Sequence, residues 1–182
     1  LMLPRLDDAL LDSCRCDVTA PLAGDPARDF GLDPDDCQQR FEVLKRYLDE
    51  QQQLLWANRR QALLLWLQGP DCSGKDGAIR HLFRGLNPQG VDVSNFQLPS
   101  TAERQEDFLA RYQRRLPPPG SIGIFNRSPY EGVVGDRHDG FIGAEQVSPR
   151  LQQIAAFEDQ LQGAGILLCK VYLQISAGEQ LK

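Results

Sequence analysis

Between Phe41 and Trp56 apolar side chains return every three or four positions, at Phe41, Leu44, Tyr47, Leu48, Leu54, Leu55 and Trp56. That spacing predicts a long helix ending near Asn58. Asp33-Pro34-Asp35-Asp36 supplies its start: an aspartate cap, then a proline whose missing N–H costs nothing in the first turn. Such a helix could present an oligomer or regulatory face, but the plainer expectation is that it packs on the domain. At Gln61 the helical period stops. Residues 62–67, Ala-Leu-Leu-Leu-Trp-Leu, form a continuous apolar run, the pattern of a parallel strand buried on both faces.

Downstream the two periods alternate. Residues 77–86 read as a helix closed by Asn87-Pro88-Gln89-Gly90, and 91–96 as a strand. Residues 101–116 read as a helix stopped by the prolines at 117–119, and 121–125 as a short strand. The glycine-rich polar segment 128–143 reads as a mobile loop, 144–162 as a helix, and 166–175 as a strand after Gly165. Strands alternating with helices predict an α/β fold with a doubly wound parallel sheet. Residues 1–33, with Pro4, Pro21 and Pro26 and weak periodicity, are expected to form an extended arm, leaving 34–182 as the core behind an N-terminal helical extension. The sequence stops just after a strand, where a doubly wound domain would ordinarily continue, so a C-terminal part is expected to be absent.

Composition narrows the function classes. The net charge of −5 argues against a general nucleic-acid binder. Five cysteines and two histidines make neither a disulfide framework nor a zinc site. No apolar run approaches the ~20 residues of a membrane span, and the chain opens on no signal-peptide pattern, so a cytoplasmic location is expected. The basic side is mostly arginine, which suits bidentate contacts to phosphate and is equally what a codon bias would give.

The chemistry gathers after the buried strand. Gly69-Pro70-Asp71-Cys72-Ser73-Gly74-Lys75 matches GxxxxGK and opens a helix. In that setting it predicts a P-loop: Gly69 and Gly74 let amides point at phosphate oxygens, Ser73 lines the cradle, and Lys75 supplies a point charge. Asp76 stands where a metal-binding hydroxyl is usual. Asp71 suits a Mg²⁺ ligand or a base orienting a phosphate nucleophile, or else a helix cap. Cys72 reads as a small loop filler. The strand at 121–125 leads to Asn126 where a carboxylate is usual, then Arg127 at the ligand-binding end of the sheet. Glu131 is a second candidate carboxylate. Arg137 and His138 sit in the expected mobile loop, where an arginine could reach transferring phosphates.

Together these residues resemble the polyphosphate kinase 2 family. The family's GxDxxGKxG is present at 69–77, its GLNPxG at 85–90, and its PS/PT-x-E at 99–103. Its FLxRYxxxLP is present at 108–117, its FNRSxYE at 125–131, and its KxxLxISxxEQ at 170–180, with the shared Arg137 between. The resemblance implies a P-loop kinase-like fold that moves phosphate between inorganic polyphosphate and nucleotides with Mg²⁺. The FNRSxYE version resembles the branch acting on AMP and ADP. It further implies that Lys75 and the loop amides hold the acceptor's phosphates. Asp71 would orient the attacking oxygen and share Mg²⁺ with Asn126 and Glu131, and Arg127 and Arg137 would offset the charge of the transferred group. A homo-oligomer is expected. Pro129, Gly132 and the glycine-rich 135–143 depart from the family pattern, and the family continues past Lys182 with basic residues that help hold polyphosphate.

Two other readings stay open at this point: a catalytically weakened relative serving as a regulatory subunit, and an ATP-dependent P-loop kinase of a small metabolite. A polyanionic donor would also need local positive charge. Arg111, Arg114 and Arg115 on one helix, with Arg80, His81 and Arg84 on another, are expected to flank the crevice, unless they pair with Glu103, Glu106 and Asp107.

Overall fold

The computed structural model describes residues 12–16, 25–27 and 30–181. Most of the expected arm at 1–33, and Lys182, lie outside these. Helix α1, Pro34–Asn58, begins as expected: Asp33 Oδ1 accepts the Asp36 amide at 2.9 Å, with Pro34 in the first turn. Arg59 closes it in the left-handed region, φ 49°, donating its N–H to Leu55 O.

Four strands form one parallel sheet in the order β2-β3-β1-β4, where β1 is Ala62–Gln68, β2 Val91–Asn95, β3 Ile122–Asn126 and β4 Ile166–Tyr172. Odd and even positions of β1 serve opposite faces. Ala62, Leu64 and Trp66 join a large core with Phe125, Tyr112, Phe157 and Leu161. Leu65 joins Ile122 and Ile124 on the other side, with Leu55, Ile79 and Phe83 packed against them. The first face is covered by α3 (Ala110–Gln113), α4 (Glu131–His138) and α5 (Ala144–Gly163), and the second by α1 and α2 (Lys75–Phe83). A run apolar at every position is therefore what a strand covered on both sides requires. The last turn of helix, α6, is Ala177–Gln180.

α1 does pack on the domain, through one polar clip and a few apolar contacts. The Gln52 side chain, 2% exposed, donates to Asn87 O at 2.8 Å and accepts the Asn87 amide at 2.9 Å. Phe41 stacks on His81 with ring centroids 4.2 Å apart. Gly90 leaves room for Gln52, since a Cβ there would come within 2.9 Å of its Nε2.

Two expectations are corrected. Residues 101–116 are not one helix but a 3₁₀ turn at Glu103–Gln105 and the short α3, separated by extended backbone at Glu106. Side chains compete with the helix here. Ser100 and Glu103 bond each other's amides, and Asp107 Oδ1 takes the Leu109 amide at 2.8 Å. The segment 128–143 is not a loop throughout, because α4 occupies its middle. Tertiary packing overrides the poor helix propensity of its glycines. Gly132 is pressed against Phe108, and Arg150 of α5 donates to Gly132 O and to Asp136. The departure at Gly132 is thus a close approach.

The two kinds of helical glycine should respond oppositely to an added methyl. A Cβ at Gly132 would meet Phe108 Cδ2 at 2.5 Å, whereas at Gly77 of α2 it would meet nothing within 4 Å. Gly132→Ala is expected to lose ~1–3 kcal/mol by overpacking, and Gly77→Ala to gain ~0.5–1 kcal/mol from reduced unfolded-state entropy. Urea midpoints at unchanged slope decide it, and a stabilised Gly132→Ala would refute the close-packing account.

Candidate active site

The apolar run of β1 ends at Gln68 and the chain turns at once. Gly69 is fixed by close approach: a Cβ would sit 2.7 Å from Leu173 O and 2.6 Å from Ser73 Oγ. Gly74, at φ 84°, caps α2 in the left-handed region that glycine reaches without strain. Lys75 then curls back. Its Nζ donates to Gly69 O and Pro70 O, both at 2.7 Å, and lies 3.3 Å from Ser73 Oγ. Burial, and secondarily the Arg127 guanidinium, lower the Lys75 pKa below its ordinary value, while Asp71, Glu131 and Asp76 oppose this.

β3 ends beside the loop because Leu67 pairs with Asn126. Asn126 Nδ2 donates to Asp76 Oδ1 at 2.6 Å and to Asn95 Oδ1, at the end of β2, at 2.9 Å. Both partners are acceptors, so the amide orientation is determined. Its Oδ1 is left buried without a hydrogen bond. Arg127 follows at φ 72°, a costly conformation for a side chain with a Cβ. Its Nη2 meets Asp71 Oδ1 at 2.8 Å, on a carboxylate 78% exposed.

Two cavities meet here. The smaller, about 310 Å³, is lined by 71–77, Asn126 and Arg127, with no aromatic wall. The larger, about 850 Å³, has Phe96, Phe108, Tyr112 and Phe141 among its walls, with Arg111, Glu131 and Arg150. Asp71 and Arg127 line both.

The structure thus brings together Gly69, Asp71, Ser73, Gly74, Lys75, Asp76, Asn126, Arg127 and Glu131 around the two cavities. Arg137 is not among them: it is exposed on α4 and lines neither cavity, although its neighbours Asp136 and His138 line the larger. Of the expected arginine track only Arg111 reaches a wall, its side chain 14% exposed over the Phe96 ring at 5.3 Å. Its Nε is 3.3 Å from Glu103 but makes no hydrogen bond. Arg114 is paired with Glu106 at 2.6 Å, as the solvated-face alternative anticipates. Arg80 and His81 lie on α2 and Arg84 just past its end, all outside both linings.

Sequence reasoning missed Gln68. Its Oε1 accepts the Ser128 amide at 3.0 Å and the Ser128 hydroxyl at 2.9 Å, and its Nε2 donates to Glu131. A polar residue ending an apolar strand was the available signal. Arg150, paired with Asp136 at 2.6 Å with its guanidinium 4.5 Å from the Phe108 ring centroid, was also missed.

Among the described residues no group of three or more His, Cys, Asp or Glu is placed to hold a metal ion. The oxygen donors present still fit a hard cation that keeps its waters and shares ligand phosphates: the exposed Asp71 carboxylate, and the unbonded Asn126 Oδ1 as acceptor for a bound water.

Known proteins resemble this chain in sequence and in fold. The family described as Polyphosphate kinase 2 (PPK2) matches residues 31–182. The ADP-polyphosphate phosphotransferase of Rhodopseudomonas palustris is 42% identical over 147 residues, covering 74% of this chain and 51% of that protein. The AMP/ADP-polyphosphate phosphotransferase of Meiothermus ruber is 37% identical over 159 residues, 82% of this chain and 60% of its own. The chain thus spans about half to three fifths of the length of these curated relatives. The crystal structure of Polyphosphate Kinase 2 from Arthrobacter aurescens TC1 superimposes with a TM-score of 0.87 at 33% identity, over 94% of this chain and 63% of that one. A match over residues 31–182 that takes in the loop, the Arg127 turn and α4 places this chain in the polyphosphate kinase 2 family.

Proposed function

We propose that the site moves phosphate between inorganic polyphosphate and a nucleoside mono- or diphosphate, with AMP and ADP as the nucleotides. The observation that carries this is the sharing of Asp71 and Arg127 by two cavities of different character. A groove with a cation and loop amides but no aromatic wall suits a chain of phosphates without a base. A larger cavity with aromatic walls suits a nucleoside that stacks. Transfer then takes place between them. The relatives from R. palustris and M. ruber, named as ADP- and AMP/ADP-polyphosphate phosphotransferases, support this pairing of substrates.

On this reading Lys75 serves the polyphosphate rather than the acceptor. Its ammonium exchanges the Gly69 and Pro70 carbonyls for a bridging oxygen, a contact to negative charge that repays its desolvation. Arg127 leaves Asp71 for the transferring phosphoryl group, whose equatorial oxygens carry the developing charge. Asp71, so released, orients the attacking phosphate oxygen of the nucleotide. The bond from the terminal phosphorus to its bridging oxygen breaks as the bond to the nucleotide oxygen forms, shortening the polyphosphate by one unit. Mg²⁺ is the cation we assign, and Asp71, Asn126 and Glu131 are the residues that would hold it. When bound it neutralises charge on the phosphates. Arg137 would have to swing from the exposed side of α4 to contribute, and the arginine already on the wall is Arg111.

Lys75→Ala is expected to lower turnover of AMP or ADP with polyphosphate by ~10³-fold with the fold retained. The lysine also sets a pH dependence. Its pKa is lowered in the free site and a bound anion raises it again. Polyphosphate affinity should therefore be full below the free-site pKa and fall as pH rises through it. Calorimetry with inorganic tripolyphosphate over an alkaline series should show this fall in the native chain and its absence in Lys75→Ala; parallel profiles would refute the role.

Asp71→Asn keeps the shape and removes the charge. Turnover is expected to fall ~10²-fold, with nucleotide affinity within ~3-fold and a raised Mg²⁺ requirement. An unchanged Mg²⁺ dependence would remove Asp71 from the metal site.

A further inference from the structure

The turn that presents Arg127 is strained, and such turns persist only where their surroundings over-determine them. The restraints are visible. Arg127 N–H extends the ladder to Leu67 O at 3.0 Å, and Tyr112 Oη donates to Ser128 O at 3.0 Å. Burial pushes the Tyr112 pKa up, so this phenol stays a donor at any working pH. Ser128, 1% exposed, spends both its amide and its hydroxyl on Gln68 Oε1. The other end of the same carboxamide holds Glu131. Gln68 itself lines neither cavity.

We infer that Gln68 is a positioning residue of the transfer site: one carboxamide at the end of β1 fixes both the Arg127 turn and the Glu131 carboxylate relative to the phosphate loop that begins at the next residue. The two ends of the amide are not interchangeable. Ser128 N–H is a donor and needs the oxygen, so the nitrogen must face Glu131, whose ionised carboxylate can only accept. A glutamine is the side chain that meets both demands. Glutamate would still accept from Ser128 but would set two carboxylates against each other, and leucine would leave Ser128 without an acceptor in a buried place. This inference rests on the polyphosphate-to-nucleotide reading for the purpose of the positioning, while the bonds themselves do not.

The charged environment of Glu131 matters to the test. Lys75 and Asp71 face it from the loop and Arg127 from the turn, with Tyr112 and Arg111 on the α3 side. On α4 the neighbours across the wall are Asp136, already paired with Arg150, and His138. Of these groups only Arg127, through the Ser128 bonds, is tied to Gln68.

The experiment compares Gln68→Glu and Gln68→Leu with the native chain by circular dichroism, by calorimetric titration with inorganic tripolyphosphate, and by kcat and KM for transfer from polyphosphate to ADP at a single pH. Gln68→Glu keeps the Arg127 turn, so its tripolyphosphate affinity should stay within ~3-fold. Its kcat should fall ~10–100-fold, the usual cost of losing an orienting partner, while KM stays within ~3-fold. Gln68→Leu should lose ~10-fold or more in tripolyphosphate affinity while folded, since the Arg127 turn is released. A folded Gln68→Leu with native affinity, or a Gln68→Glu with native kcat or a loss confined to KM, would overturn the assignment. Should Gln68→Leu fail to fold, the kcat-against-KM split of Gln68→Glu still decides. A native chain that binds tripolyphosphate but transfers nothing would sink the functional reading instead, and the affinity arm would then judge Gln68 alone.

Discussion

Parallel pairing of β1 with β3, in the register that sets Leu67 against Asn126, is the contact on which the site depends. Both strands end there and both leave the sheet at its carboxyl edge, where open α/β sheets bind ligands. The loop and the Arg127 turn are therefore neighbours, although Asp71 and Arg127 lie far apart in sequence. The register is enforced by burial. A slip of one residue would turn Leu64 and Trp66 away from Phe125 and Phe157 and into the packing of Ile122, Ile124, Ile79 and Phe83 on the other face. The hydrophobic effect thus sets the geometry of the charged loop and turn that lie between the two cavities.

Polar groups finish what burial begins. Gln52, Gln68 and Ser128 are each withdrawn from solvent to some degree and each bonded to backbone or to a partner whose place they fix. Such groups are costly when unpaired, so they hold their connections within narrow limits. Against that background the unbonded atoms stand out. Asn126 Oδ1 and Arg111 Nε belong to residues at the cavities, where a ligand or its waters would complete them. Trp66 Nε1 is a third, and nothing in the core around it explains the missing partner.

What the sequence showed and what it hid divide by range. The buried strand, the glycine-framed loop, the cap at Asp33 and the run Asn126-Arg127-Ser128 were legible because each is written in adjacent residues. The doubly wound parallel sheet followed from their alternation, and the family match agrees with it. Residues 101–116 carried helical spacing, but Ser100, Glu103 and Asp107 offered the backbone nearer partners, a signal present in the letters and outweighed by periodicity. α4 was hidden because its Gly132 is explained only by Phe108 and Arg150, which arrive from elsewhere in the chain. The same holds for Arg137. The expected loop and the family resemblance put it near the site, whereas it stands exposed on α4.

The backbone at Arg127 also has a meaning for how such a protein can change. At φ 72° glycine would relieve the strain there, by roughly 1 kcal/mol. Selection for robustness alone would therefore favour the one replacement that deletes the guanidinium shared by both cavities. Arginine at this position is then a record of what the molecule is kept for: a chain drifting free of its activity would be expected to lose it early, and to become more durable as it did.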